Sequence, residues 1–133
     1  EGIEGGRVSD HISAMWDMYP TFCEVAGIKP KKETDGISML PEFKGEIQPQ
    51  HNHLYWEFAP FGGRQAIRMG KWKGVRYNMN QGNREVELYN LEKDRGETEN
   101  IAKQHPEITE EIRTLMKTSR EPSPLFEFPL DDE

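Results

Sequence analysis

Between residues 53 and 91 the apolar side chains recur at every second position, and that period restricts the stretch to strands that bury one face. Leu54, Trp56 and Phe58 share one side, and Gln65, Ile67 and Met69, then Val75 and Tyr77, then Val86 and Leu88 continue the alternation. The runs predict four strands, near residues 53–58, 64–70, 72–78 and 85–91. The Gly70-Lys71 join of the second run to the third is tight enough for an antiparallel hairpin, and Asn80-Gln81-Gly82-Asn83 suits a second turn. A meander is the simplest pairing.

The flanks change period. Residues 17–26 predict a helix capped by Asp17, with Pro20 in its first turn, Gly27 as its stop, and Met18, Phe22, Val25 and Ala26 on one stripe for burial. An Asp35-Gly36 turn and a short helix capped by Ser38 follow, and residues 44–52 read as a linker. Pro106 opens a longer helix, to about residue 118, whose Ile108, Ile112, Leu115 and Met116 form the buried face. Its acids Glu107, Glu110 and Glu111 precede its bases Arg113, Lys117 and Arg120, as the helix dipole favours. From Pro122 an extended tail is expected, with Phe126 and Phe128 pinned against the rest. The fold class is therefore α+β, a small four-stranded antiparallel sheet covered by a C-terminal helix.

Residues 87–102 join those parts. Leu88 and Asn90 alternate with Tyr89 and Leu91, as in a half-buried strand, and Glu92 to Gly96 break the pattern with charge and a glycine suited to positive φ. Glu97 to Ala102 then read as a turn of helix with acids at its N-terminus.

The 133 residues leave room for one ordinary domain, and a mean hydropathy of −0.89 makes the core modest. The formal charge of −7 argues against a general nucleic-acid binder, which needs a basic face. No apolar run approaches the ~20 residues of a membrane span. Arg64, Arg68, Lys71, Lys73, Arg76 and Arg84 nevertheless fall in one segment, either an anion-facing rim or the solvated side of strands. The single cysteine, Cys23, has no internal disulfide partner and reads as a buried packing residue. His51-Asn52-His53 could bring two imidazoles onto an ion, but no other ligands stand near in sequence, so it reads as the polar start of a strand. His11 and His105 read as surface or capping residues.

Glu87-Leu88-Tyr89-Asn90-Leu91, followed by Asp94, Glu97, Asn100 and Ala102, resembles a run in the C-terminal region of sulfatases. It departs from that pattern at Asn90, Arg95 and Ile101, where the family has Asp, Pro and Leu. Further stretches resemble the same family in the same order: Asp17-Met18-Tyr19-Pro20-Thr21 with Ala26-Gly27-Ile28, then Asp35 to Pro41, then Arg68-Met69-Gly70-Lys71-Trp72-Lys73. Pro122-Ser123-Pro124-Leu125-Phe126 is similar to bacterial members.

The resemblance implies the C-terminal portion of a sulfate ester hydrolase of the bacterial kind acting on sulfated carbohydrate. Sulfatases use a formylglycine made from Cys or Ser in a Cys/Ser-x-Pro/Ala-x-Arg motif, beside a divalent cation, usually calcium. This sequence lacks that motif; formylglycine and calcium are expected in an N-terminal catalytic domain, the chain's implied partner. No catalytic or metal residue is therefore expected here, and the chain alone should be inactive. Residues 1–45 would be a helical remnant of the large α/β domain and 46–133 the C-terminal subdomain. The family location implied is periplasmic or extracellular.

In that family the smaller sheet forms one wall of the substrate pocket, and Tyr55 to Gln65 are the candidates for it, with Glu57, Arg64, Gln65 and Trp56 as substrate-binding residues. Aromatic faces stack on sugar rings, and the arginine fork suits a sulfate. Trp56 sits on the strand face expected to be core. Two alternatives stay open: a freestanding carbohydrate-binding module, or the matching part of a phosphate or phosphonate ester hydrolase.

If the 17–26 helix packs on a catalytic domain, residues 1–133 alone expose apolar surface. Sedimentation velocity across a concentration series should then show self-association. A strictly monomeric chain with both helix faces covered contradicts that reading.

Overall fold

Each alternating run becomes a strand of one sheet: β1 (Leu54–Phe58), β2 (Arg64–Met69), β3 (Trp72–Arg76) and β4 (Glu87–Asn90). Neighbours pair antiparallel in the order β1-β2-β3-β4, the expected meander. The computed structural model describes residues 3, 5–31 and 33–122, so the extended tail with Phe126 and Phe128 lies outside the described residues. The chain divides into two compact units, Glu1–Asn52 and His53–Glu133.

In the second unit, helix α3 (Pro106–Thr118) lies on the sheet face that carries Tyr55, Ile67, Gly74 and Leu88. Ile67, Val86, Leu88, Ile112 and Met116 form its core, and Ile108 and Leu115 pack against them, so the apolar stripe of α3 is buried as the spacing requires. The helix comes close because β3 offers it no side chain at one point. A Cβ built on Gly74 would lie 2.3 Å from Ile112 Cγ2. The α+β class, with an antiparallel sheet covered by a C-terminal helix, is therefore the observed one.

The segment after β4 is not the helical turn expected. Only Ala102–Gln104 form a 3-10 turn, and residues 97–101 are irregular. The left-handed residue is Glu97 (φ 54°), not Gly96. Asp94 makes this possible by folding the chain back on itself: its Oδ2 accepts from the N–H groups of Thr98 (2.7 Å) and Glu99 (2.9 Å), and its Oδ1 from the Thr98 hydroxyl. Asn100 then reaches β4. Its Oδ1 accepts the Leu88 N–H at 3.1 Å, while Ile101 N–H donates to the Leu88 carbonyl at 2.9 Å. Both Leu88 groups are thus satisfied on the side away from β3.

The first unit holds a 3-10 turn (Met15–Asp17) running into α1 (Met18–Val25), and a short α2 (Leu40–Lys44). Helix α1 ends in a Schellman motif: Gly27 N–H donates to Glu24 O and Ile28 N–H to Cys23 O, with Gly27 left-handed. Its apolar stripe is not covered within this chain, which is the exposed surface expected of a helix that packs on a further domain. Phe22 and Val25 are 62% and 64% exposed, while Asp17, Pro20, Thr21 and Cys23 are buried. Hydrogen bonding explains the polar residues on the buried side. Thr21 Oγ1 donates to Asp17 O (2.6 Å) and accepts from Met39 N–H (2.9 Å), so a polar residue is satisfied inside.

Asp17 is not the forward cap the sequence indicates. Its carboxylate, 0% exposed, accepts from Ala14 N–H (2.7 Å), Ile37 N–H (2.8 Å) and His51 Nε2–H (2.8 Å). Ser38 stands one residue before the N-cap position, Met39, and its Oγ accepts the N–H of Leu40, the first residue of α2, at 3.2 Å. Gln48, in the expected linker, accepts the Glu42 N–H and donates to Ser38 O, both at 2.9 Å. Residues 44–52 thus include two side chains, Gln48 and His51, that bind the first unit together.

Two outcomes follow from these contacts. Gly74→Ala should lower unfolding stability by about 2 kcal/mol in urea titrations, because Ile112 must shift. For Asp17, burial raises the carboxyl pKa, but the Ala14 and Ile37 N–H groups and His51 outweigh it and hold the group below its ordinary value. Its stabilisation is therefore complete above the unfolded aspartate pKa of ~3.9 and lost as pH falls through the lower folded value. Asp17→Asn should cost roughly 2 kcal/mol near neutral pH, and the gap to the parent chain should narrow below about pH 4. A pH-independent gap contradicts the assignment.

Candidate functional site

On the α3 side of the sheet, cross-strand register places Glu57 opposite Gln65 and Gln65 opposite Arg76. These side chains and their neighbours form a polar network. Arg120 Nε donates to Glu57 Oε2 at 3.0 Å, and the Tyr55 hydroxyl donates to the same oxygen. Gln65 Nε2 donates to the Tyr55 hydroxyl at 3.0 Å, and Arg76 Nη1 donates to Gln65 Oε1 at 3.5 Å. Burial, and then the Glu57 carboxylate, push the Tyr55 phenol well above its ordinary pKa. Tyr55 is thus a fixed neutral donor and Glu57 a committed acceptor. The arrangement ties the start of the sheet to the residue just beyond α3 rather than poising a base.

Trp56 and Arg64 lie on the other face. Arg64 stands directly across from Phe58, and Trp56 across from Ala66. Trp56 is 38% exposed, so its expected place in the core is wrong; on its side of β1 Leu54 is the buried residue, and on the α3 side Tyr55 packs against the core. The apolar weight of β1 misleads here, because its more hydrophobic side is not the one that α3 covers. The four nominated residues therefore fall into two pairs, Glu57 with Gln65 and Trp56 with Arg64, on opposite faces. They do not converge on one point.

The Arg64 guanidinium carbon sits 5.6 Å from the centre of the Tyr77 ring. Beside it the Phe58 and Phe61 rings stack, 6.1 Å apart and 24° from parallel. The β1–β2 connection holds Phe61, Gly62 and Gly63 in successive left-handed conformations (φ 55°, 89° and 75°). Gly62 O and Gly63 O accept from Asn80 and Met79 N–H, so the loop is fastened to the 3-10 turn Met79–Gln81. A Cβ on Gly63 would lie 2.8 Å from Asn80 Oδ1, leaving no room for any side chain there.

The histidines do not form a centre. His51 bonds Asp17, His53 Nε2 bonds Ser119 Oγ at 2.7 Å, and the His105 ring meets Trp72 at a 55° tilt with ring centres 4.9 Å apart. His11 lines a cavity of about 350 Å³ in the first unit with Arg7, Met39 and Phe43, where Arg7 is already occupied by Glu42 (3.1 Å to its carbonyl, 3.7 Å to its carboxylate). Among the described residues no group of three or more His, Cys, Asp or Glu is placed to hold a metal ion. Cys23 is buried in α1, outside any formylglycine motif. The described residues therefore fit neither calcium nor formylglycine.

Sequence reasoning placed Tyr55 and Phe61 within the candidate segment without singling them out, and passed over Tyr77 and Arg120 as site-forming residues. Tyr55 and Glu57 share a strand face at period two, a signal available in the chain. Arg120 meets Glu57 across 63 positions, which no local pattern announces.

Over residues 1–122 the chain matches the family described as N-sulphoglucosamine sulphohydrolase, C-terminal. An arylsulfatase K from Danio rerio is 30% identical over 125 residues, covering 88% of this chain and 24% of that protein. A Delta 4,5-hexuronate-2-O-sulfatase from Bacteroides thetaiotaomicron is 36% identical over 118 residues, covering 80% of this chain and 24% of the relative. Among solved structures, a Bacteroides thetaiotaomicron protein described as a sulfatase superposes with a TM-score of 0.77 at 31% identity, over 89% of this chain and 27% of that one. The chain thus spans about a quarter of the length of the curated relatives it matches. The resemblance carried by Glu87 to Ala102 is borne out: the chain belongs to the sulfatases, in the family of N-sulphoglucosamine sulphohydrolase C-terminal domains.

Proposed function

We propose that this chain serves as the C-terminal part of a sulfatase that hydrolyses sulfate esters of carbohydrate. The observation that carries this reading is the family match across residues 1–122, joined by relatives that are themselves sulfatases of glycan or aryl esters by name. The nucleophile, a formylglycine, and a calcium ion would come from a catalytic domain outside residues 1–133. What this chain's residues supply is binding and position. Arg64 presents a fork of N–H donors suited to a sulfate or carboxylate, with Trp56 beside it, on one wall of the substrate pocket. Glu57 and Gln65 hold that wall's sheet in register from the opposite face through Tyr55, Arg76 and Arg120.

A bacterial source and a periplasmic or extracellular location belong to the same proposal. Large sulfated polysaccharides are highly charged and do not cross a membrane unaided, so an enzyme acting on them meets them outside the cytoplasm.

The protein expressed from its complete reading frame should release inorganic sulfate from an aryl sulfate and from a sulfated oligosaccharide. Residues 1–133 alone should release none above a buffer blank. Hydrolysis of a phosphate or phosphonate monoester with no sulfate release overturns the assignment, as does sulfate release by residues 1–133 alone.

A further inference from the structure

The connection between β1 and β2 has two features that packing within the chain does not use. Phe58 is 50% and Phe61 76% exposed, yet their rings are stacked on one another rather than turned toward the core. Phe61 is also left-handed, a strained conformation for a bulky residue, and surrounding contacts must hold it. Those contacts are visible. The loop's carbonyls are fastened to Met79 and Asn80, and Gly63 is pressed against the Asn80 side chain.

At the rim of this aromatic pair stands Arg64, directly across the sheet from Phe58. Among the described residues its guanidinium has no hydrogen bond or ion pair, and its contact is with the Tyr77 ring. Stacking on an aromatic face orients the fork while leaving its N–H donors available. The acids nearest Tyr77 are engaged elsewhere: Glu87 accepts from the Tyr89 hydroxyl, and Glu97 pairs with Lys73 at 2.5 Å.

We propose that Phe58, Phe61 and Arg64 form a binding site for a sulfated sugar unit, the pyranose face lying on the two rings and its sulfate in the arginine fork. The ligand class rests on the sulfatase reading above. The geometry adds the place and the division of roles. A flat apolar platform beside one oriented cation matches a ring with C–H faces and a single anionic substituent. It does not match a polyphosphate backbone, which requires many cations. This chain holds no nucleophile motif, so its binding should be measurable without turnover.

The test is calorimetric titration of residues 1–133 with a sulfated glucan tetrasaccharide and with the same tetrasaccharide unsulfated. The sulfated form should bind at least about tenfold more tightly, a difference of about 1.4 kcal/mol. Arg64→Gln should remove that preference, and Arg64→Lys, which keeps the charge without the fork, should restore only part of it. Phe61→Asn, a residue that tolerates the left-handed conformation, should weaken both ligands about tenfold. Unchanged thermal unfolding of each variant secures the comparison; if Phe61→Asn unfolds, the Arg64 pair decides alone. Equal affinity for the two tetrasaccharides, no binding of the sulfated one, or binding indifferent to Arg64→Gln overturns the proposal. Failure of the sulfatase reading shows separately, as absence of sulfate release from an aryl sulfate by the complete protein.

Discussion

The contact between Ile112 and the bare backbone of Gly74 is the constraint on which the second unit rests. With no Cβ on β3 at that point, α3 settles close enough for Ile112 and Met116 to meet Ile67, Val86 and Leu88. Much else depends on where that helix ends. Arg120 follows it and reaches the Glu57 carboxylate, so the pairing of β1 with β2 is bound to the same docking event. A helix held further from the sheet would leave that carboxylate half-buried without its cation, which costs several kcal/mol in a low-dielectric setting. The opposite face, with Phe58, Phe61 and Arg64, is thereby carried on a sheet whose other side is sealed.

The strands and α3 were readable in the chain because in both the side chain's chemistry and its position agree: period two for the sheet, and Ile108, Ile112, Leu115 and Met116 for the helix. Where they disagree the reading inverts. At the start of α1 Thr21 and Asp17 are buried, because Met39, Ala14, Ile37 and His51 satisfy them, while Phe22 and Val25 stay uncovered within this chain. Strand β1 repeats the lesson with Tyr55 and Trp56. Hydropathy ranks side chains, but a polar group with its partners in place can take the interior. The nominated residues suffered the same way. Period two alone separates Trp56 from Glu57 and Arg64 from Gln65, and the four were grouped by chemistry in spite of it.

The turn after β4 shows a different limit. Gly96 was the natural candidate for a left-handed residue, yet Glu97 takes that conformation. The cost is offset by Lys73, which pairs with the Glu97 carboxylate, and by the Asp94 carboxylate gathering the Thr98 and Glu99 N–H groups. Composition indicated a turn. Which residue carried the strain depended on a strand partner 24 positions away.

Asn100 and Ile101 carry one consequence beyond the fold itself. An outer strand with unsatisfied N–H and C=O groups is a template onto which another chain can add. Leu88, on the outer strand β4, has its outward N–H taken by Asn100 and its outward carbonyl by Ile101. The most diagnostic stretch of this sequence thus acts as a selvedge, a finished border that keeps the sheet from growing by one more strand. Replacing the Asn100 amide with an aliphatic group would leave that border open at the residue the core can least spare.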